Sequence, residues 1–89
     1  MTPLEIDPAK DKANQQRHGI SLYRFGDMDV DNALVVPGKT VNDEQRWMFL
    51  GKIDARLYAG VVTYRGDVTR VISLRPASRA ERRTYDQAH

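Results

Sequence analysis

The stretch RLYAGVVTYRGDVTRVISLR, residues 56–75, carries the strongest fold signal in the sequence. Two β-rich runs, 56–65 and 68–75, are joined only by Gly66-Asp67, and glycine at the first position of a two-residue connection predicts a type II′ hairpin. Alternation along the second run predicts two sets of side chains on opposite faces: Arg70, Ile72 and Leu74 against Val71, Ser73 and Arg75. We therefore expect an antiparallel strand pair that carries arginine on both faces.

Upstream of this hairpin, the sequence predicts more strands. ALVVP (33–37) has the composition of a short strand that Pro-Gly stops, and a polar loop (39–44) separates it from RWMFLGKI (46–53). A further short strand is expected at residues 3–6. Because consecutive strands pair most simply as neighbours, we expect an antiparallel meander.

Three helices are expected around these strands. Asp7-Pro8 is typical of a helix start and Gly19 of a helix end, which predicts a helix over 8–18 that docks through Ala9 and Ala13. A second short helix is predicted over 22–28. Ser78 and Glu81 form a capping box for a third helix over 79–87.

Together these elements predict an α+β fold: a curved antiparallel sheet with two N-terminal helices and a C-terminal helix. We expect the helices on one face of the sheet and the other face partly open. The length of 89 residues is that of one domain, so we assign residues 1–89 to a single domain.

Composition narrows the possible functions. The chain has no cysteine, which excludes disulfides and thiolate catalysis. The first residues, MTPLEID, lack a basic start and an apolar run, so we expect no secretory signal, no membrane and a cytoplasmic location.

Positive charge is concentrated towards the C-terminal end. Residues 1–64 hold eight Lys and Arg against nine Asp and Glu, whereas residues 65–89 hold six against three. A polyanion or an acidic protein surface would be attracted to that end.

A polar stripe is expected on the first helix. Lys10, Asn14, Arg17 and His18 are spaced i, i+4, i+7 and i+8, which places them on one side. A cation, an amide and an imidazole together could bind a phosphodiester and transfer a proton. A histidine at a helix end can equally serve only as a C-terminal cap.

Arginines form a second candidate set, on strands and on the last helix. Guanidinium binds phosphate through two parallel hydrogen bonds, so this set could bind nucleic acid. Ordinary surface charge is the alternative interpretation. The set comprises Arg46, Arg56, Arg65, Arg70 and Arg75 on the strands and Arg79, Arg82 and Arg83 on the last helix.

No cofactor or metal site is expected. Asp27, Asp29 and Asp31 begin like a calcium loop, but that loop requires glycine and glutamate where the chain has Asn32 and Gly38. There is also no phosphate-binding glycine loop and no paired-histidine motif.

Three segments in this order make the chain recognisable. DPAKDKANQQRHGIS (7–21), EQRWMFLGK (44–52) and VVTYRGDVTRVISLRPASRAERRTYDQ (61–87) resemble the BrnT family of ribonuclease toxins. The resemblance covers nearly the whole chain. It depends most on these positions: Asp7, Lys10, Asn14, His18, Gly19, Arg46, Gly51, Arg70, Ile72, Ser73, Arg75, Ala77, Glu81, Arg82, Arg83 and Tyr85.

The resemblance implies a RelE-like fold and a type II toxin–antitoxin pair. It implies a toxin that cleaves RNA without a metal, inhibits translation and growth, and is neutralised by BrnA, a ribbon-helix-helix antitoxin. Operator DNA would then be contacted only through the antitoxin. The alternative is a non-catalytic basic domain that only engages its antitoxin or nucleic acid.

The resemblance implies that Lys10, His18, Arg46, Ser73 and Arg75, which fall on motif positions of the family, face the RNA, and the chemistry of metal-free cleavage predicts their roles. The catalytic set would be Lys10, His18, Arg46 and Arg75, which we expect to converge on one exposed pocket. The arginines would stabilise the charge that develops at phosphorus, His18 would shuttle a proton and Lys10 would hold phosphate. The expected RNA-binding residues are Asn14, Arg17, Arg70, Ser73, Arg79, Arg82 and Arg83.

Overall fold

The structure, a computed structural model, describes residues 3–89. Along the chain the elements are β1 (Leu4–Glu5), α1 (Pro8–His18), two 3₁₀ helices (Leu22–Asp27 and Val30–Asn32), β2 (Leu34–Val41), β3 (Glu44–Ile53), β4 (Arg56–Arg65), β5 (Val68–Pro76) and α2 (Arg79–Ala88). One sheet holds all five strands in the order β1-β5-β4-β3-β2. No helix within residues 3–89 is long and apolar enough to cross a membrane.

The local signals at turns and helix ends are confirmed. The Asp7 carboxylate accepts a hydrogen bond from the Ala9 N–H at the start of α1, and Gly19 ends the helix in the left-handed region at φ +72°. The capping box of α2 is present in full. Gly66 adopts φ +59° in the two-residue β4–β5 turn, as a type II′ hairpin requires.

The prediction that a strand stops at Pro37-Gly38 is wrong. β2 continues to Val41, because it is an edge strand. Proline is tolerated there, since no further strand needs a hydrogen bond from the N–H that it lacks. The expected loop over 39–44 is instead mostly strand, closed by Asn42 and Asp43, both at positive φ as in a type I′ turn.

The sheet is mixed rather than wholly antiparallel. β2 to β5 form the predicted meander, but β1 pairs parallel to β5. Of the two expected N-terminal helices, only α1 is an α-helix. The segment 22–27 forms a 3₁₀ helix, and its Leu22 and Phe25 side chains face inward as a helix there predicts.

Helices cover both faces of the sheet, not one. On the apolar face, defined by Trp47, Phe49, Val62, Val71 and Leu74, the first 3₁₀ helix packs Phe25 against Gly60. A Cβ at Gly60 would lie 2.8 Å from the Phe25 ring, so this close approach requires glycine. On the opposite face, Tyr85 of α2 covers only one end of the sheet, over Leu50, Leu57 and Ala59.

A β-bulge at Ile72 decides which side chains share the uncovered part of that opposite face. Val61 pairs with Ser73, whereas the next residue, Val62, pairs with Val71, so Ile72 is the extra residue. Simple alternation had separated Arg70 from the other two polar residues, and that prediction is wrong. Arg46, Arg70, Ser73 and Arg75 all lie on this face, which we call the arginine face.

Helix α1 docks by hydrogen bonds and not through its alanines. Ala9 and Ala13 are exposed, and Asn14 is the one residue of this helix that is buried. The Asn14 amide donates to the carbonyls of Leu74 and Ile20 at 2.8 and 2.9 Å and accepts from the Leu74 N–H at 3.2 Å. It thereby provides hydrogen-bond partners for the backbone at the edge of β5, beyond the point where β1 ends.

Candidate functional site

A cleft forms where α1 meets β5. Its volume is about 170 Å³, and no acidic residue lines it. The helix contributes basic and polar side chains, and β5 contributes the bulge and the residue after it. The lining residues are Lys10, Ala13, Asn14, Arg17, His18, Ile72 and Ser73.

The polar side chains of this cleft are available to a ligand. Within residues 3–89, neither a hydrogen bond nor an ion pair engages the side chains of Lys10, Arg17, His18 or Ser73. Helical spacing brings the first three together, and the bulge turns the serine hydroxyl towards the helix side of the arginine face. The cleft therefore combines a lysine, an arginine, an imidazole and a hydroxyl without a competing carboxylate.

Asn14 lies in this cleft but is not free to bind RNA. Only 7% of its surface is exposed, and its amide is committed to backbone groups of Ile20 and Leu74. The expectation that Asn14 contacts RNA is therefore corrected: this side chain fixes α1 against β5 and so sets the geometry of the cleft.

Arg75 is on the arginine face but has a protein partner. Its guanidinium donates to both Glu81 oxygens, at 2.7 and 2.9 Å, in a bidentate pair. The pKa of the Glu81 carboxyl is lowered to about 2, chiefly by hydrogen bonding from Arg75 and also by the hydrogen bond from the Ser78 N–H. Glu81 thus holds the guanidinium in place while capping α2.

Arg70 is also paired with an acid. Its guanidinium is hydrogen-bonded to Glu5, the residue beside it on β1, and only 19% of the side chain is exposed. The expected RNA contact at Arg70 would have to compete with this half-buried pair. Arg70 instead ties β1 to β5.

Arg46 is half-buried and lines a second cleft on the same face. This cleft, of about 280 Å³, contains Lys39, Arg46, Val36, Met48 and Val61, together with Pro37 and Gly38. Val61 is the cross-strand partner of Ser73, so the two clefts are neighbours on the arginine face. The expected single pocket is therefore divided: Lys10 and His18 share the first cleft, Arg46 lines the second, and Arg75 borders neither.

The arginines of α2 lie elsewhere. Arg82 lines a third cleft with Lys52 and Arg56 and donates to the Ala77 carbonyl at 3.3 Å. Arg79 and Arg83 are exposed on the outside of the helix. The structure does not bring these three side chains to the cleft that holds His18.

The sequence did not indicate the roles of two residues on the arginine face, Glu81 and Lys39. The sequence predicts Glu81 as a cap and a family position but not as the partner of Arg75, although its spacing from Arg75 across Pro76 is compatible with an ion pair. Lys39 was placed in a loop, because Pro37-Gly38 was taken to end the strand. Within the described part of the chain, 3–89, no three His, Asp or Glu side chains cluster as metal ligands.

Comparison with known proteins finds a matching family and a similar fold. The family model described as "Ribonuclease toxin, BrnT, of type II toxin-antitoxin system" matches residues 6–81. The crystal structure of the Brucella abortus ribonuclease toxin BrnT is similar to this chain, with a TM-score of 0.73 and 25% sequence identity, over 89% of this chain and 100% of that one. No curated protein matches. With the family model covering most of the sequence and the same fold in a solved relative, this chain belongs to the BrnT family of type II ribonuclease toxins.

Proposed function

We propose that the chain is a metal-independent endoribonuclease that cleaves RNA at the cleft between α1 and β5. The observation that carries this proposal is the set of unpaired Lys10, Arg17, His18 and Ser73 side chains around one cleft with no acidic residue. A phosphodiester fits these groups because cations attract its oxygens and the hydroxyl can donate to them.

The reaction needs a base, an acid and stabilisation of charge. The RNA 2′-hydroxyl attacks the adjacent phosphorus as a base removes its proton, and the 5′-oxygen leaves as an acid protonates it. The products are a 2′,3′-cyclic phosphate and a 5′-hydroxyl. Imidazole exchanges protons near neutral pH, so His18 is the proton-transfer group of the cleft.

The cationic side chains stabilise negative charge and bind phosphates. Lys10 and Arg17 flank His18 and stabilise the extra negative charge at phosphorus, and Ser73 orients a phosphate oxygen. Arg75, held by Glu81, and Arg46 lie further out on the arginine face, where they bind neighbouring phosphates of the strand.

The same proposal names the partners. A BrnA-like ribbon-helix-helix antitoxin neutralises the toxin, and operator DNA is contacted through that antitoxin. Residues 1–89 act as one RelE-like toxin domain in the cytoplasm, where RNA cleavage inhibits translation and growth. A type II system implies a protein antitoxin, which supports this assignment.

Cleavage of RNA by purified protein in the presence of EDTA tests the proposal. We expect His18→Ala to lower the cleavage rate by at least 100-fold, since general acid–base catalysis contributes about 10²–10⁴-fold. Ser73→Ala should lower it less. Lys12→Ala is the matched control, because Lys12 is an exposed cation of α1 outside the cleft.

Three outcomes would contradict the proposal. Full activity in His18→Ala would remove this residue from the reaction, and loss of wild-type activity in EDTA would refute metal independence. A wild-type protein that binds its antitoxin, cleaves no RNA and does not arrest growth would be a non-catalytic member of the family.

A further inference from the structure

A second cleft on the arginine face has features that phosphate binding alone does not explain. Its floor is apolar, formed by Val36, Met48 and Val61 from three adjacent strands, and its rim carries Lys39 and Arg46. Its volume of about 280 Å³ exceeds that of the cleft beside α1.

An irregularity in β2 creates this cleft. Pro37 pairs with Trp47 and Thr40 with Gln45, so Gly38 and Lys39 both lie opposite Arg46. The Gln45 amide donates to the carbonyls of Gly38 and Arg46 at 2.7 and 2.8 Å, which holds the irregular pairing in place. The bulge therefore fixes Lys39 and Arg46 beside the same opening.

The chemistry of the lining fits a nucleotide. Lys39 and Arg46 form no hydrogen bond or ion pair within the described range 3–89, so both can bind a phosphate. The apolar strip beside them can bury one face of a base, and no acidic residue lines the cleft to repel the backbone.

The position of the cleft places its nucleotide close to the bond that is cut. Val61 of this cleft and Ser73 of the α1–β5 cleft are cross-strand partners, whose Cβ atoms lie about 5 Å apart in such pairs. A strand with its scissile phosphate at Ser73 and His18 would place a nearby nucleotide over Val61.

We propose that the cleft lined by Lys39, Arg46, Val36, Met48 and Val61 is a subsite for one unpaired nucleotide of the RNA, close to the bond that is cut. This inference rests on the proposed function, because it places the same RNA strand. It makes single-stranded RNA the substrate class, since a base held in a duplex cannot reach the apolar floor.

Adjacent valines on β2 provide a matched test. Val36 faces the cleft, whereas Val35 pairs with Phe49 on the apolar face and is 47% exposed. Binding of a fluorescent, uncleavable 2′-O-methyl RNA is measured by anisotropy. We expect about fivefold weaker binding for Val36→Ser and for Lys39→Ala, and wild-type affinity for the controls Val35→Ser and Lys52→Ala.

An abasic scan locates the nucleotide. Oligonucleotides with one abasic site at each position in turn should bind wild-type protein about fivefold more weakly at a single position. In Val36→Ser that positional effect should disappear, because in this variant even an intact base at that position gains little contact with the floor of the cleft. Duplex RNA of the same sequence should bind wild type and Val36→Ser equally.

Equal affinity of wild type and Val36→Ser for single-stranded RNA, or an abasic scan without a preferred position, would overturn the subsite. Weaker antitoxin binding with unchanged RNA binding would reassign the cleft to a protein partner. Because the readout is binding, the subsite can fail while RNA cleavage persists, and it can hold in a protein that cleaves nothing.

Discussion

Asn14 shows how a single polar side chain can determine the geometry of a site. Its amide meets both the N–H and the carbonyl of Leu74, as a neighbouring strand would, and also binds the Ile20 carbonyl. Helix α1 has no other buried residue. Asp11 also anchors the helix, because its carboxylate accepts hydrogen bonds from the Ser21 hydroxyl and the Leu22 N–H at 2.9 and 2.8 Å. Asn14 is the side chain that fixes Lys10, Arg17 and His18 directly against β5.

Asn14→Ala should destabilise the protein by about 3 kcal/mol, because it leaves buried backbone groups of Ile20 and Leu74 without partners. Urea denaturation followed by circular dichroism measures this. Gln16→Ala removes an exposed side chain two positions along the helix and should change the free energy of unfolding by less than about 0.5 kcal/mol. Equal stability of the two variants would contradict the role given to Asn14.

At the scale of elements, local signals predicted the ends of helices well. Asp7, Gly19 and the Ser78–Glu81 box act through nearest neighbours along the chain, so their sequence is sufficient. The faces of β5 were not predictable, because a bulge depends on the pairing of two strands and leaves no composition signal at Ile72.

The end of β2 was also predicted wrongly, because of Pro37. Proline stops a central strand, but β2 is an edge strand, and this fact follows only from the complete strand order. Ending the strand at Pro37 also placed Lys39 in a loop, so the sequence did not predict that it lies beside Arg46. Sequence thus identified most of the cationic residues, but not which of them share a cleft and which are neutralised by Glu5 or Glu81.

The Arg75–Glu81 pair joins β5 to α2, and its pH dependence is predictable. The pKa of Glu81 is lowered from 4.5 to about 2 in the folded protein. A carboxyl with a lowered folded-state pKa stabilises the fold above its unfolded pKa, and this contribution is lost as the pH falls towards 2.

Wild-type stability should therefore fall between about pH 4.5 and pH 2, by the order of 1 kcal/mol from this pair. In Glu81→Gln the fall should be smaller by that amount, with lower stability at neutral pH. Asp67→Asn, at an exposed turn carboxylate with no ion pair inside the 3–89 range, serves as control. Parallel pH profiles for wild type and Glu81→Gln would contradict the linkage.

Over the whole molecule, the two faces of the sheet differ in unpaired charge, since the acids on the arginine face, Glu5, Glu44 and Glu81, are each paired with an arginine. The arginine face and the adjoining end of α1 carry Lys10, Arg17, Lys39 and Arg46 around clefts without acids. The apolar face exposes Val35 and Tyr64, and its cleft of about 440 Å³ has Asp31 as its one charged lining residue. A polyanion is therefore attracted to one side.

The most direct test of this account is to map amide chemical shifts while titrating the protein with uncleavable single-stranded 2′-O-methyl RNA. The account predicts the largest changes at the end of α1 around His18, at Ser73, and around Lys39 and Arg46, with Val35 and Tyr64 unchanged. Changes concentrated at Val35 and Tyr64, with the α1–β5 cleft unaffected, would contradict it.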